Sequence, residues 1–265
     1  MSRRGSKILL ALLLSLFLAP VALLLAAAFV PADTAAELLS GHPAEIRLTW
    51  DQWRAALSNA EFLRAFANSA RIAIPGTLLC LPVALCAGLW LARSAGPLRS
   101  AAQTLYLLAM LTPFQIIMLP LYQLTQWTNT YDTLLPVIAL IAFSPIGILM
   151  IRFLIGAIPN EQWQAVALET RSQAIILRKI VLPQIMSGIV LLALLTFSEG
   201  WNTVEPALIL LSSSGTHQPL SLLLNDITAA DGQYVFAGSA LYALPALALY
   251  LCVALYAVRH QRLYG

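Results

Sequence analysis

Between positions 199 and 205 an otherwise apolar run carries Glu199, Trp201, Asn202 and Glu205. Two carboxylates and an amide can hydrogen-bond hydroxyl groups, and an indole can stack on a flat apolar ring face. That is binding chemistry. The same groups can instead hydrogen-bond neighbouring helices or a companion subunit, and Glu205 can sit at an outer rim. A carboxylate facing lipid is expensive, so both acids are expected to face protein or a water-filled cavity. Gln115 and Gln123 pose the same choice, and a glutamine satisfied across a helix–helix contact is the commoner outcome. No GxxxxGK[ST] phosphate loop, CxxC pair or His/Cys cluster occurs, so no metal or nucleotide site is expected on this chain. His42, His217 and His260 lie far apart, in or beside loops. Cys80, Cys86 and Cys252 fall within apolar runs, as small core residues do.

The other polar concentration is the interval 158–183, IPNEQWQAVALETRSQAIILRKIVLP. Trp163, Val166, Ala167 and Thr170 follow the i, i+3, i+4, i+7 pattern of one face of a short helix. Arg178 and Lys179 precede the next apolar run. A loop between membrane spans need not be helical and amphipathic unless something docks on it. The interval is therefore expected to meet a soluble partner, the competing reading being a helix that lies on the bilayer surface.

The elements that position these residues follow from composition. Of 265 residues 60% are hydrophobic and only 10% charged, against about 25% charged in soluble domains. The expected fold class is all-α integral membrane, with six transmembrane helices. A net charge of +3 is too small to suggest nucleic acid. Residues 1–30 hold an N-terminal span, its apolar run 8–30 being longer than the roughly 7–15 residues of a signal-peptide core. Residues 31–66 form a polar stretch in which WDQWRAAL and AEFLRAF read as short amphipathic helices, with Trp50 and Trp53 as interfacial aromatics. Residues 67–258 form a five-span core: 67–91 with Pro75, Gly76 and Pro82, 100–124 with Pro113 and Pro120, 133–155, 184–211 and 235–258. The loop 156–183 lies inside this core, 93–99 is a basic turn, and 259–265 is a short tail. The stretches 125–132 and 212–234 contain no lysine or arginine and read as loops, 212–216 as a flexible connector. Arg3, Arg4, Lys7, Arg93, Arg99, Arg152, Arg171, Arg178, Lys179, Arg259 and Arg262 all fall on one side, which the positive-inside rule makes cytoplasmic, together with both termini and the 158–183 interval. No internal repeat suggests the inverted halves of many secondary transporters.

The interval resembles the cytoplasmic loop of binding-protein-dependent ABC importer permeases. That loop runs EAA, three further residues including a common Asp, then Gly; in the sugar-type branch it begins IPxEL and ends IxLP. Here stand Ile158-Pro159-Asn160-Glu161-Gln162, Gln164-Ala165-Val166, Glu169-Thr170 and Ile180-Val181-Leu182-Pro183. Gln164 replaces a Glu and removes a charge, Val166 replaces Ala, Glu169 replaces Asp, and Thr170 replaces a Gly that would reach φ > 0 freely. TPFQIIMLPLYQL and WNTVEPALIL resemble the third and fifth spans of sugar-type permeases, so the resemblance runs from about residue 66 to the C-terminus. It implies the second permease of a carbohydrate-type importer, similar to those for maltose or glycerol phosphate, with a coupling helix between spans four and five. Glu161, Trp163, Gln164, Ala165, Val166, Glu169, Thr170 and Arg171 would contact the ATPase, and Glu199, Trp201, Asn202 and Glu205 would line the solute path. Expected partners are a second permease subunit in a heterodimer, two ATPase subunits carrying ATP and Mg, and an extracytoplasmic solute-binding protein. The chain itself would be no enzyme and hold no cofactor, and its place would be the bacterial cytoplasmic (inner) membrane. A gradient-driven secondary transporter and a non-transporting scaffold are the alternatives.

Overall fold

A computed structural model describes the backbone of residues 3–43, 45–169, 172–212, 216–229 and 232–264; side chains at 3–8, 10, 11, 14, 39, 166–169, 173, 227–229 and 256–264 lie outside the description. Among the described residues every regular element is helical. In chain order they are α1 (Arg3–Ala27), α2 (Ala32–Leu39), α3 (Asp51–Ser58), α4 (Ala60–Arg93), α5 (Pro97–Leu111), α6 (Phe114–Trp127), α7 (Leu134–Ala142), α8 (Pro145–Gly156), α9 (Asn160–Glu169), α10 (Gln173–Ile176), a π-helical turn (Leu177–Val181), α11 (Leu182–Trp201), α12 (Glu205–Leu210), α13 (Leu220–Ala229) and α14 (Val235–Tyr264).

Among the described residues four stretches are long and apolar enough to cross a bilayer: Ala60–Arg93, Leu134–Gly156, Ala174–Trp201 and Val235–Leu255. A fifth is added if α5 and α6 count together, although they meet at 101°. From α1 the described residues contribute only the shorter apolar stretch Ser15–Ala27. The expected unbroken span 100–124 is therefore corrected to a bent pair. Pro113 disfavours the helical region for the residue before it, and Thr112 is extended at ψ 119. Thr112 still caps α5 by donating its Oγ1–H to the Leu108 carbonyl at 2.8 Å. The expected span 184–211 also stops early, at Trp201. Pro206 has no N–H to give the Asn202 carbonyl and its ring would clash with that carbonyl in a continuous helix. Conversely, α4 passes through Pro75 and Pro82 without a break, and it begins at Ala60 rather than 67.

The chain divides into two compact units, residues 1–67 with 219–248 and residues 68–218 with 249–265. In the first, Gln52 is buried on α3. Its Nε2 donates to the carbonyls of Ala27 (2.9 Å) and Val30 (2.6 Å), and its Oε1 accepts from Ala237 N–H at 3.4 Å. One amide thus satisfies backbone groups left open at two helix ends. Ala56, Phe62, Ala65, Leu220 and Leu223 form the core beside it. The expected 212–234 loop is corrected here too: it contains α13, on which Leu220, Leu222 and Leu223 are buried.

In the second unit α4, α8 and α11 enclose a core of Cys80, Ala84, Leu91, Ile148, Ile151, Ile155, Ile158, Val181, Ile185 and Leu192. Ser144 caps α8 by accepting from Gly147 N–H at 3.2 Å, with Pro145 at the first helical positions. Gly200 permits a close approach near the end of α11, because a Cβ there would lie 2.9 Å from Ala73 Cα and 3.0 Å from Ile141 Cδ1.

Candidate functional site: a loop helix and an exposed carboxylate at opposite ends of α11

Pro159, with its fixed φ, and Glu161 in the first turn favour helix initiation at Asn160. Successive residues turn by about 100° in an α-helix, so Gln162 and Trp163 share one side of α9 while Glu161, Gln164 and Ala165 share the other. Trp163 and Gln162 both have partners within the chain, although Gln162 is itself exposed. Trp163 is half-buried, packed against the core of α4, α8 and α11, with the Arg93 guanidinium 4.1 Å from its ring centroid. Such a cation–π contact contributes about 0.5–1 kcal/mol at a partly exposed site. Gln162 accepts a 2.7 Å hydrogen bond from Gln184 Nε2, which also donates to the Ile180 carbonyl in the π-turn at 3.2 Å. Glu161, Gln164 and Ala165 are exposed. Val166 and Glu169 belong to α9 but their side chains are outside the description, and Thr170 and Arg171 lie outside the described residues.

Gln184 stands near the start of α11 and Glu199 near its end, about 22 Å apart along the axis at 1.5 Å per residue. Glu199 is exposed and, among the described residues, has no hydrogen-bond or ion-pair partner. It borders a cavity of about 470 Å³ lined otherwise mostly by apolar side chains, including Leu107 and Met110 from α5, Ile146 and Phe153 from α8, and Leu195 and Thr196 from α11. Trp201 does not join it: that ring is 2% exposed and stacks on Phe197 with centroids 5.8 Å apart and 13° between planes. Asn202 is exposed and ends α11, its Nδ2 donating to the Ser198 carbonyl at 2.8 Å. Glu205 opens α12 and accepts from Gln115 Nε2 at 3.0 Å. Ser198 Oγ and the Tyr250 hydroxyl share a hydrogen bond of 3.0 Å beside these groups.

Of the residues expected from sequence, the structure therefore presents Glu161, Gln164 and Ala165 on one exposed helix face, and Glu199, Asn202 and Glu205 as exposed polar groups at the far end of α11. It turns Trp163 inward and buries Trp201. Sequence reasoning missed Arg93 and Gln184 as partners of α9. A basic residue closing the long span α4 was the available signal for Arg93, and nothing marked Gln184. No group of three or more His, Cys, Asp or Glu residues that could hold a metal occurs among the described residues.

The chain has relatives in both sequence and fold. The chain is 28% identical over 195 residues to the osmoprotective compounds uptake permease protein GgtD of Synechocystis sp., covering 72% of this chain and 65% of that protein. It is 24% identical over 239 residues to the diacetylchitobiose uptake system permease protein DasC of Streptomyces coelicolor, covering 88% of this chain and 85% of that protein. The lactose transport system permease protein LacG of Rhizobium radiobacter is 25% identical over 83% of this chain and 82% of its own length. In fold the chain matches a crystal structure of a bacterial ABC transporter involved in import of the acidic polysaccharide alginate. The TM-score is 0.78 at 17% identity, over 97% of this chain and 98% of that one. The sequence profile of the family described as binding-protein-dependent transport system inner membrane component matches residues 84–263, more than half of the sequence, and the chain belongs to that family.

Proposed function

We infer that this chain is one permease subunit of an ATP-driven ABC importer for a sugar or glycoside. With a second, related permease it forms the solute path. Two ATPase subunits carrying ATP and Mg bind on the cytoplasmic side, and an extracytoplasmic binding protein delivers the solute. The reading completes the bundle with α1 as a sixth span and puts both termini in the cytoplasm, as the arrangement of basic residues favours. The observation that carries it is the exposed Glu161–Gln164–Ala165 face of α9, anchored at one end of α11 while Glu199 borders an open cavity at the other, without a hydrogen-bond or ion-pair partner among the described residues.

In mechanism, a coupling helix seated in a groove on each ATPase subunit moves when those subunits close on ATP. Its ties to Arg93 and Gln184 pass that displacement to the ends of α4 and α11. At the far end of α11, Glu199, Asn202 and Glu205 offer acceptors and an amide to solute hydroxyls. A carboxylate is tolerated there because the path is wet or occupied. The relatives named for diacetylchitobiose and lactose support a neutral oligosaccharide as the cargo class.

The test is reconstitution of the four-subunit complex in proteoliposomes with its binding protein, followed by uptake of labelled neutral disaccharides. Uptake that requires both ATP and the binding protein is the expected result. Uptake driven by an ion gradient without the ATPase subunits would overturn the reading.

A further inference from the structure

We propose that Arg93 and Trp163 form a fixed joint that makes α9 move as one body with the end of α4, so that Trp163 positions the coupling helix and does not contact the ATPase. The inference rests on the functional reading above and goes beyond it by dividing the helix between its two neighbours.

Three observations meet at this joint. Arg93 is the last residue of α4, and its guanidinium lies over the Trp163 ring at 4.1 Å. The same ring packs against the buried cluster built from α4, α8 and α11, where Leu91 and Ile158 are 0% and 6% exposed. On the neighbouring side Gln184 bridges Gln162 to the carbonyl of Ile180 in the π-turn, a local irregularity of the kind often found at functional sites. The coupling helix is thus pinned to α4 through an aromatic face and to α11 through an amide, which leaves Glu161, Gln164 and Ala165 for a partner. A push on that face is delivered to α4 and α11, and these two helices meet again where Gly200 approaches Ala73, next to Glu199. Lysine cannot fully replace Arg93, because a planar guanidinium stacks on an aromatic face and a compact ammonium does not.

The test uses the whole complex (this chain, the second permease and two ATPase subunits) in lipid nanodiscs. Spin labels are placed at Ala95→Cys and Asn160→Cys, both exposed positions, with the exposed Cys86 and Cys252 replaced by alanine. Distances are measured before and after trapping with ATP, Mg²⁺ and vanadate. The joint predicts one narrow distance peak, the same in both states. Arg93→Ala and Trp163→Ala should each lose the narrow peak, and the double variant should be no broader than either alone, as expected for two members of one contact. Trp163→Phe should keep it, since phenylalanine also offers a face to the cation. A wild-type distance that shifts on trapping, or a narrow peak surviving in both alanine variants, overturns the joint. Loss of the ATPase subunits from Trp163→Phe would make Trp163 a docking residue and overturn it too. A wild-type complex that traps no nucleotide would instead sink the importer reading itself.

Discussion

The Nε2 of Gln115 donates a 3.0 Å hydrogen bond to Oε1 of Glu205. Gln115 lies in the first turn of α6, just past the 101° bend, and Glu205 opens α12, just past the end of α11. One side-chain contact therefore links two of the places where expected spans are broken. Both side chains are exposed, so the bond fixes geometry more than it contributes stability. Gln115→Leu is expected to cost about 1 kcal/mol, read as a small drop in the thermal midpoint of the detergent-purified chain. No change at all would mean that the bend is held by α6–α12 packing alone.

Glu199 has no hydrogen-bond or ion-pair partner among the described residues, and this separates its structural from its functional weight. Glu199→Gln should leave the thermal midpoint unchanged or raise it, because no hydrogen bond or ion pair among the described residues is lost and an acidic group on an apolar helix is removed. Uptake by the reconstituted importer should fall. A marked loss of stability with unchanged uptake would assign Glu199 to packing.

Two glycines give an internal contrast. At Gly200 an added Cβ meets the backbone of Ala73 at 2.9 Å, whereas at Gly156 nothing lies within 4 Å. Gly200→Ala is expected to destabilise by about 1–3 kcal/mol through overpacking. Gly156→Ala should be neutral, or stabilising by up to about 1 kcal/mol from helix propensity. Denaturation of both variants in the same detergent checks the pair.

Ala165 sits on the exposed face of α9. Ala165→Arg brings bulk and positive charge to that face without disturbing Trp163 or Gln162. ATP hydrolysis by the complex should continue while solute uptake is lost, with the protein still in the membrane. Fully coupled activity would remove this face from the ATPase contact.

Much of this architecture could be read from residue patterns, because a run of twenty apolar residues has few options other than a span. The interval 158–183 also declared itself, since Ile158-Pro159 and the polar run after it interrupt apolar sequence where a helix must restart. The breaks were harder. Pro75, Pro82 and Pro120 lie inside continuous helices, whereas Pro113 stands at a 101° bend. A proline removes the same N–H in every case, and neighbouring helices decide whether the freed carbonyl is re-satisfied. The orientation of Trp163 was similarly out of reach. Its helical spacing suited an outward apolar stripe, but Arg93 and the α4–α8–α11 core, distant in sequence, turned it inward. Trp201 disappeared from the exposed set for the same kind of reason, through its stack on Phe197.

The central claim is that α9 is a cytoplasmic handle gripped by the ATPase subunits. It is tested most directly by placing a cysteine at Gln164, with Cys86 and Cys252 replaced by alanine, and following reaction with a membrane-impermeant maleimide. The expected result is no labelling in intact spheroplasts, rapid labelling once the cytoplasmic face is opened, and protection when the ATPase subunits are bound. Labelling from the outside, or labelling indifferent to the ATPase subunits, would contradict the account.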